Sequence, residues 1–209
     1  MRRHPMLSLL DEAAALVRGG LPEYALPRLL HLAAQGFEVA QHNAAHVLEH
    51  VGRALASRDP AGAADAYSRA ALMWARAAAQ PGTASAAQKR LGDLFLSGRG
   101  VPRLPAVAAA YYHAAGGLAG TPAADAAPAV PPAGGAPVLS AVFALGRLYH
   151  VGAPGVPRDP RMARRMYAHV VRGAAASGAS PGDEHAWLPA TLMLSLLRVE
   201  ECFTGVVAV

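Results

Sequence analysis

The sequence predicts an all-α protein whose helices stack as an α/α superhelical solenoid. Apolar or small residues recur at positions i, i+3, i+4 and i+7 through nearly every segment, and no segment alternates as a strand would. The segments "QKRLGDLFLSGRGVP" and "FALGRLYHVGAPGVP" both run Leu-Gly, then an aromatic residue, then two glycines, Val and Pro. Each is followed by another helical stretch, so the repeating unit is helix, glycine turn, helix.

The composition fits a folded protein and excludes several classes of site. Of the 209 residues, 53% are hydrophobic, which is enough to form a core. The single cysteine, Cys202, excludes an internal disulfide and a cysteine-based zinc site. The net charge of +5 comes from arginines without interleaved aromatic residues, so we expect no nucleic-acid binding. No cofactor is expected, because the sequence contains no P-loop, dinucleotide fingerprint or Gly-x-Ser-x-Gly motif.

Neither end of the sequence predicts a targeting signal or a membrane-spanning helix. The first apolar run, "MLSLL", meets Asp11 and Glu12 too soon for a signal peptide. The apolar tail is interrupted by Arg198, Glu200 and Glu201, well short of the roughly 18 residues that a span needs. We therefore expect no membrane span in this chain.

The helical pattern predicts a single repeat domain over residues 1–209. A Pro, Gly and Ala-rich stretch cannot build a packed element, and we interpret it as an insertion loop because the repeat resumes after it. The predicted units are N-terminal helices in 1–36, a first repeat in 37–82, a second repeat in 83–116, the insertion loop in 117–137, a third repeat in 138–178 and a C-terminal helix in 179–209.

Glycines and aromatic residues mark the repeats. The first glycine of each glycine-containing segment, Gly92 or Gly146, allows a neighbouring helix to approach closely. The second helices carry an aromatic residue followed three and four positions later by small or β-branched residues, and Asp159 is a typical N-cap. After Asp59, one long helix would place both Tyr67 and Trp74 in positions like that of Tyr167. The glycines suited to left-handed helix ends are Gly98, Gly100, Gly152 and Gly155, and the repeat aromatics are Trp74, Tyr111 and Tyr167.

The string "HNAAHVLEH" raises the question of a metal site. It places His42, His46 and His50 one helical turn apart, and "HVLEH" is the H-x-x-E-H signature of inverted zinc peptidases. A helical projection puts these histidines opposite an apolar face, where they would be solvated or would line a groove. On that projection Glu49 would form an ordinary i, i+4 ion pair with Arg53. The sequence therefore favours a solvated face, with metal binding and a zinc-dependent peptidase using His46, Glu49 and His50 as remote alternatives.

Two further surfaces are candidates for contacts with partners. An arginine ridge on the helix after Asp159 could meet an acidic partner or lipid head groups, or could simply be solvated. The apolar stretches "MLSLLDEAAALV" and "ATLMLSLLRVEECF" near the two ends predict some self-association. The ridge consists of Arg158, Arg161, Arg164, Arg165 and Arg172.

The repeat pattern resembles the Sel-1-like repeat family, an α/α-solenoid relative of the tetratricopeptide repeat. The best copy is "FALGRLYHVGAPGVPRDPRMARRMY". The stretches "GFEVAQHNAAHVLEH", "YSRAALMWARAAAQPG" and "KRLGDLFLSGRGV", in that order, are similar to the C-terminal repeats of the adaptor subunit of the endoplasmic-reticulum-associated degradation ubiquitin ligase. The matching residues at the start of the first repeat are Gly36, Glu38, Val39, Ala40, Gln41, Asn43, Ala44 and Ala45.

The resemblance implies a function as well as a fold. It implies a non-enzymatic adaptor in the endoplasmic reticulum, lumenal or membrane-associated. The partners that it implies are a membrane-embedded ubiquitin ligase and receptors for misfolded proteins. A generic Sel-1-like scaffold in another compartment is the alternative.

Overall fold

A computed structural model describes residues 5–118, 136–176 and 189–197 of the chain. Within them every regular element is helical, and the one β feature is an isolated bridge between Ala153 and Val156. None of the helices in these ranges has the length and apolarity needed to cross a bilayer. The helices are α1 Pro5–Arg18, α2 Pro22–Ala34, α3 Glu38–Leu55, α4 Pro60–Ala78, α5 Ala84–Ser97, α6 Pro105–Ala115, α7 Leu139–Val151 and α8 Pro160–Ala176, and residues 189–197 are also helical.

The chain divides into two compact units between α5 and α6, inside the predicted second repeat. In the first unit, α1 packs on α2, α2 on α3, α3 on α4 and α4 on α5. In the second unit, α6 packs on α7 and α7 on α8. Within each unit, every helix therefore contacts its neighbours in sequence, which is the packing expected of a repeat array.

The α3–α4 pair carries the core of the first unit. Asp59 caps α4, because its Oδ1 accepts a hydrogen bond from the Gly62 amide at 2.9 Å. The helix then continues for 19 residues, so that Tyr67 and Trp74 lie on one long helix as predicted. A Cβ at Gly52 would lie 3.0 Å from the Tyr67 ring, so the glycine lets this aromatic pack against the α3 backbone.

The α7–α8 pair repeats this arrangement in the second unit. Asp159 caps α8 through a hydrogen bond that Oδ1 accepts from the Met162 amide at 2.9 Å. The Tyr167 ring lies against Gly146, where a Cβ would be 2.7 Å from Cε1 of the ring. Gly146 and Gly52 thus occupy equivalent positions, each opposite a tyrosine of the following helix.

The predicted glycine turns are each followed by an arginine whose hydrogen bond to the preceding helix was not predicted from the sequence. Gly98, Gly100, Gly152 and Gly155 all have positive φ. Gly98 ends α5 in the predicted left-handed conformation, whereas Gly152 at the end of α7 has a ψ of 157° and is not left-handed helical. Gly100 also lies directly against the backbone of Tyr67 and Ser68, which leaves no room for a side chain. After each turn an arginine Nε donates to a carbonyl near the end of the preceding helix: Arg103 to Leu96 at 3.2 Å, and Arg158 to His150 at 3.0 Å.

The buried aromatic residue of α6 is Tyr112, not the predicted Tyr111. Tyr112 is 1% exposed, whereas Tyr111 is only half-buried. The three second helices share a fully buried aromatic residue and, four residues before it, a fully buried alanine. Small residues follow both tyrosines in "YYHAA", so the local pattern does not distinguish them. The pairs are Ala70 with Trp74, Ala108 with Tyr112, and Ala163 with Tyr167.

Two predicted segments fall largely outside the described residues. Of the insertion loop at 117–137, residues 119–135 lie outside. Of the C-terminal helix at 179–209, only 189–197 are described, and there Ala190 and Leu197 are buried.

Candidate functional site

The histidines of α3 form a cluster with Trp74 of α4. The His42 and His46 rings meet edge to face with the buried Trp74 indole, at centroid distances of 4.9 and 4.8 Å. The two imidazoles are 4.8 Å apart, and both are half-buried. The expectation of a solvated face is therefore wrong for His42 and His46, while His50, one turn later, is exposed.

Glu49 completes this cluster. Its Oε1 accepts a hydrogen bond of 2.6 Å from the Trp74 indole nitrogen, and its Oε2 lies 3.9 Å from a guanidinium nitrogen of Arg90 on α5. Glu49 as a whole residue is 9% exposed. The prediction of an ion pair between Glu49 and Arg53 is therefore wrong, because the Glu49 side chain points toward α4 and α5.

The position of α3 explains both corrections. The predicted apolar face of α3 is buried at Ala40, Ala44, Val47 and Leu48, but Gln41 and Glu49 are buried as well. A helix that packs against both α2 and α4 has two buried sides, whereas the projection assumed only one. The buried Gln41 side chain donates a hydrogen bond to the Ala33 carbonyl at 3.3 Å.

Burial and nearby positive charge keep the cluster histidines neutral. Desolvation, followed by the charges of His42, Arg90 and Arg53, lowers the pKa of His46 to about 4. Desolvation, together with Arg90, also lowers the pKa of His42, against an opposing effect of Glu38. At neutral pH these imidazoles therefore act as uncharged hydrogen-bonding and packing groups.

The cluster does not assemble a metal centre. Over the described ranges, no group of three or more His, Cys, Asp or Glu side chains has the arrangement to hold a metal ion. The remote zinc candidates His42, His46 and His50 are thus not brought together as ligands. Glu49, the general base of that hypothesis, is instead occupied by Trp74 and Arg90.

Two adjoining cavities lie between α3 and the α1–α2 hairpin, and His46 lines both. The larger, of about 380 Å³, has an apolar wall from Val17 and Pro22 and a polar side from His46, His50 and Arg53. The smaller, of about 220 Å³, is lined by alanines of α1, by Val17 and Leu29, and by Arg18 and Asn43. We call the two together the α1–α3 groove.

The second unit holds a part-buried polar pair and the predicted arginine ridge. Nε2 of His113 and the hydroxyl of Tyr149 are 3.0 Å apart, and burial lowers the pKa of His113 and raises that of Tyr149. The ridge residues on α8 are exposed, and four of them line one shallow cavity of about 450 Å³. These four are Arg161, Arg164, Arg165 and Arg172.

The remaining predicted motif residues lie in the packing of the helices rather than at a site. Gly36 has a φ of +87° just before α3, Ala40 is fully buried, and Gly92 is buried in α5. His46 and His50 line this groove, which is the second of the two surroundings expected for these histidines. The contribution of α1 to the groove was not predicted, because it depends on where α1 packs.

Comparison with known proteins identifies the fold. No protein-family model matches the chain, and no curated protein matches it. Among solved structures, a Sel1 repeat protein from Oxalobacter formigenes superposes with a TM-score of 0.53 and 22% identity over 78% of this chain. A protective antigen of uropathogenic Escherichia coli, c5321, which displays an SLR fold, aligns over 92% of this chain with 18% identity and a TM-score of 0.43.

The chain spans 57% of the Oxalobacter protein and 44% of the Escherichia coli antigen. The helix pairs, the glycine turns and the superposition on the Oxalobacter protein agree with one another. The predicted fold class is therefore confirmed: the chain has the all-α, α/α-solenoid fold of Sel1 repeat proteins.

Proposed function

We propose that this chain is a non-enzymatic protein-interaction scaffold, and more specifically an adaptor of the endoplasmic-reticulum-associated degradation ubiquitin ligase complex. In that role it binds the membrane-embedded ligase and helps to present misfolded proteins. The proposal gives the protein a place in the endoplasmic reticulum, either lumenal or membrane-associated.

The stretch from Gly36 to Ala45 is the observation that carries the proposal. Ala40, Ala44 and Ala45 are fully buried, and Gln41 bonds to the Ala33 carbonyl, so this stretch fixes how α3 packs on α2. The same stretch is the part most similar to the repeats of the ligase adaptor. That similarity favours the adaptor over a repeat protein of no particular complex.

The polar chemistry of α3 supports a scaffold rather than an enzyme. His42 and His46 pack on Trp74, and Glu49 binds the indole nitrogen. A catalytic base needs a free lone pair facing substrate, whereas the Glu49 oxygens face Trp74 and Arg90. The residues of the H-x-x-E-H string and its neighbourhood that suggest catalysis thus contribute to the packing of the helices.

A generic scaffold in another compartment is the second candidate. The likeness to the Oxalobacter formigenes Sel1 repeat protein supports it, since that likeness extends to the fold alone. The two candidate functions require the same fold and differ in the partners that the chain binds and in its compartment.

Co-purification separates them. The tagged chain is expressed in its native cells, membranes are solubilised in mild detergent, and bound proteins are identified by mass spectrometry. Recovery of a multi-spanning ubiquitin ligase together with lumenal lectins is the expected result. Recovery of cytosolic proteins alone would reject the adaptor and leave the generic scaffold.

The control variant should disturb the fold without removing a surface group. Gly52→Leu places a large side chain against the Tyr67 ring, so it is expected to unfold the first unit, which contains the Gly36–Ala45 stretch. Proteins that bind this variant as well as the wild type are non-specific and are subtracted.

A further inference from the structure

We infer that the α1–α3 groove binds an extended segment of a partner protein that presents a carboxylate beside aliphatic side chains. This inference rests on the proposed scaffold function, because it names the chemistry of a partner segment. It adds a binding site in the first unit that the repeat motifs alone do not indicate.

The arginines that line the groove are cations, and its other polar side chains can each donate a hydrogen bond. Arg53 and His50 lie at one end, and Arg18 and the Asn43 amide lie at the other. No carboxylate lines either cavity. A ligand that presents an anion would therefore find complementary charge at both ends.

The two arginines have unused binding capacity. Across the described ranges, no carboxylate lies within ion-pair distance of Arg18 or Arg53, since Glu49 turns away toward Trp74 and Arg90. A guanidinium that is exposed beside an apolar wall forms charge-assisted, bidentate hydrogen bonds with a carboxylate. The redirection of Glu49 is thus what leaves Arg53 open to a partner.

The middle of the groove is held firmly in place. His46 lines both cavities, and its ring is fixed by edge contacts with His42 and Trp74. Its lowered pKa keeps the ring uncharged, so one ring nitrogen donates a hydrogen bond and the other accepts one. A fixed, neutral donor costs little ordering entropy when a ligand binds.

The apolar wall and the length of the groove favour a peptide segment over a small acid. Val17, which is 42% exposed, and Val47 contribute to both cavities, and Pro22 and Leu29 extend the apolar surface. Asn43 and Arg53 are ten residues apart on α3, or about 15 Å at the helical rise. An extended chain covers that distance in about four or five residues at about 3.3 Å each.

The test measures binding of a defined peptide to the whole chain. The probe is the acetylated, amidated peptide Gly-Leu-Glu-Val-Leu-Gly, and its control has Gln in place of Glu. Histidine-labelled protein is titrated while the ring signals of His46 and His50 are followed by NMR. We expect saturable shifts at both histidines with the Glu peptide, and binding about tenfold weaker with the Gln peptide.

Matched arginine variants localise the effect. Arg53→Gln should weaken the Glu peptide about tenfold and leave the Gln peptide unchanged, because it removes the cation that faces the carboxylate. Arg58→Gln neutralises an exposed arginine five residues later that lines neither cavity, and should leave binding as in the wild type. Circular dichroism confirms that both variants are folded.

Several results would overturn the inference. Equal binding of the Glu and Gln peptides would show that the carboxylate is not recognised. Equal effects of the two arginine variants would show that the peptide does not bind in the groove. If hexanoate binds as tightly as the peptide, the ligand of the groove is a small acid. If Arg53→Gln abolishes self-association, the ligand is a second copy of this chain. Absent peptide binding alongside recovery of the ligase would overturn only this inference and leave the proposed function standing.

Discussion

At the scale of single residues, Trp74 is the point on which the polar side chains of α3 converge. Its indole nitrogen binds Glu49, and its ring edges and faces meet His42 and His46. The indole is fully buried, so its N–H group depends on Glu49 as an acceptor. The polar cluster is therefore part of the core of the first unit.

Glu49→Ala should destabilise the protein by about 2–3 kcal/mol, because it leaves the Trp74 N–H buried without an acceptor. The matched control is Asp65→Ala, which removes an exposed carboxylate 3.9 Å from Arg69 and should cost less than about 0.5 kcal/mol. Urea unfolding followed by circular dichroism measures both. Equal costs for the two variants would show that the indole hydrogen bond contributes little.

The stability of the protein should fall as the pH is lowered from about 6.5 toward about 4, partly because of His46. The pKa of His46 is lowered to about 4 in the folded state, so the unfolded chain, at about 6.5, takes up this proton first. The full shift corresponds to roughly 3 kcal/mol, and since His46 is only half-buried, solvent screening reduces its effect to about 1–2 kcal/mol.

His46→Gln should therefore unfold with a weaker pH dependence than the wild type between pH 6.5 and 4. His50→Gln removes an exposed imidazole from the same helix without touching Trp74 and serves as the control. Urea midpoints measured across this pH range give the comparison. Identical slopes for His46→Gln and the wild type would contradict the burial of His46.

At the scale of helices, the pairs are held by close approach at glycine and by caps. Tyr67 lies on Gly52 and Tyr167 on Gly146, while Asp59 and Asp159 cap the second helix of each pair. These contacts are local to each pair, which suits a fold made by repeating one unit.

Gly146→Ala should destabilise the protein by about 1 kcal/mol or more, although alanine favours helix by about that amount. The new Cβ would lie 2.7 Å from the Tyr167 ring, which is fully buried and has no room to move. Gly173→Ala on α8 is the matched control: its Cβ would meet the branched end of the Leu139 side chain, 2.7 Å from Cδ2, and that end can rotate away. Thermal unfolding should place the two variants on opposite sides of the wild type, and a stabilising Gly146→Ala would contradict the close approach.

Leu104→Asp should stabilise α6 by about 1 kcal/mol. Leu104 has φ −133° and ψ 84°, close to the −142° and 84° of the capping Asp59, and each precedes a proline. Leu104 forms no side-chain cap, and it is 44% exposed, so an aspartate there would gain a cap and lose little packing. Leu104→Ala is the control, and a thermal midpoint for Leu104→Asp no higher than for Leu104→Ala would contradict the shared cap geometry.

The helices and turns could be predicted from the sequence because their causes are local. Asp59, Gly98 and Gly152 act on neighbouring backbone, so their patterns indicated caps and helix ends. The surroundings of Glu49 could not be predicted, because its partners Trp74 and Arg90 lie 25 and 41 residues away in sequence. A groove lined by the α3 histidines was one of the two expectations, whereas its α1 wall could not be predicted for the same reason.

At the scale of the whole molecule, exposed apolar residues favour association with other chains. Leu7 on α1 is 51% exposed, and Leu192 and Leu196 in the helix at 189–197 are 58% and 44% exposed. Contiguous exposed apolar surface is often a site of protein contact. The prediction of a single repeat domain over residues 1–209 remains to be tested.

Sedimentation velocity over a range of concentrations should show reversible self-association. Leu192→Glu together with Leu196→Glu should reduce it, because a buried charge opposes apolar contact. Leu72→Glu, which changes a leucine that is 52% exposed on α4, is the control. A sharply monomeric profile at high concentration would reject self-association through these residues.

The central claim is that the chain works by binding other proteins through its surface, and site-specific photo-cross-linking in native cells tests it most directly. A photoreactive benzoylphenylalanine replaces Val17, which is exposed and lines both cavities of the groove, or Arg58, which is exposed and lines neither. The account predicts a discrete cross-linked partner protein from position 17, with a ubiquitin ligase subunit among the products, and none of it from position 58. Absence of any protein product from position 17, or the same products from both positions, would contradict it.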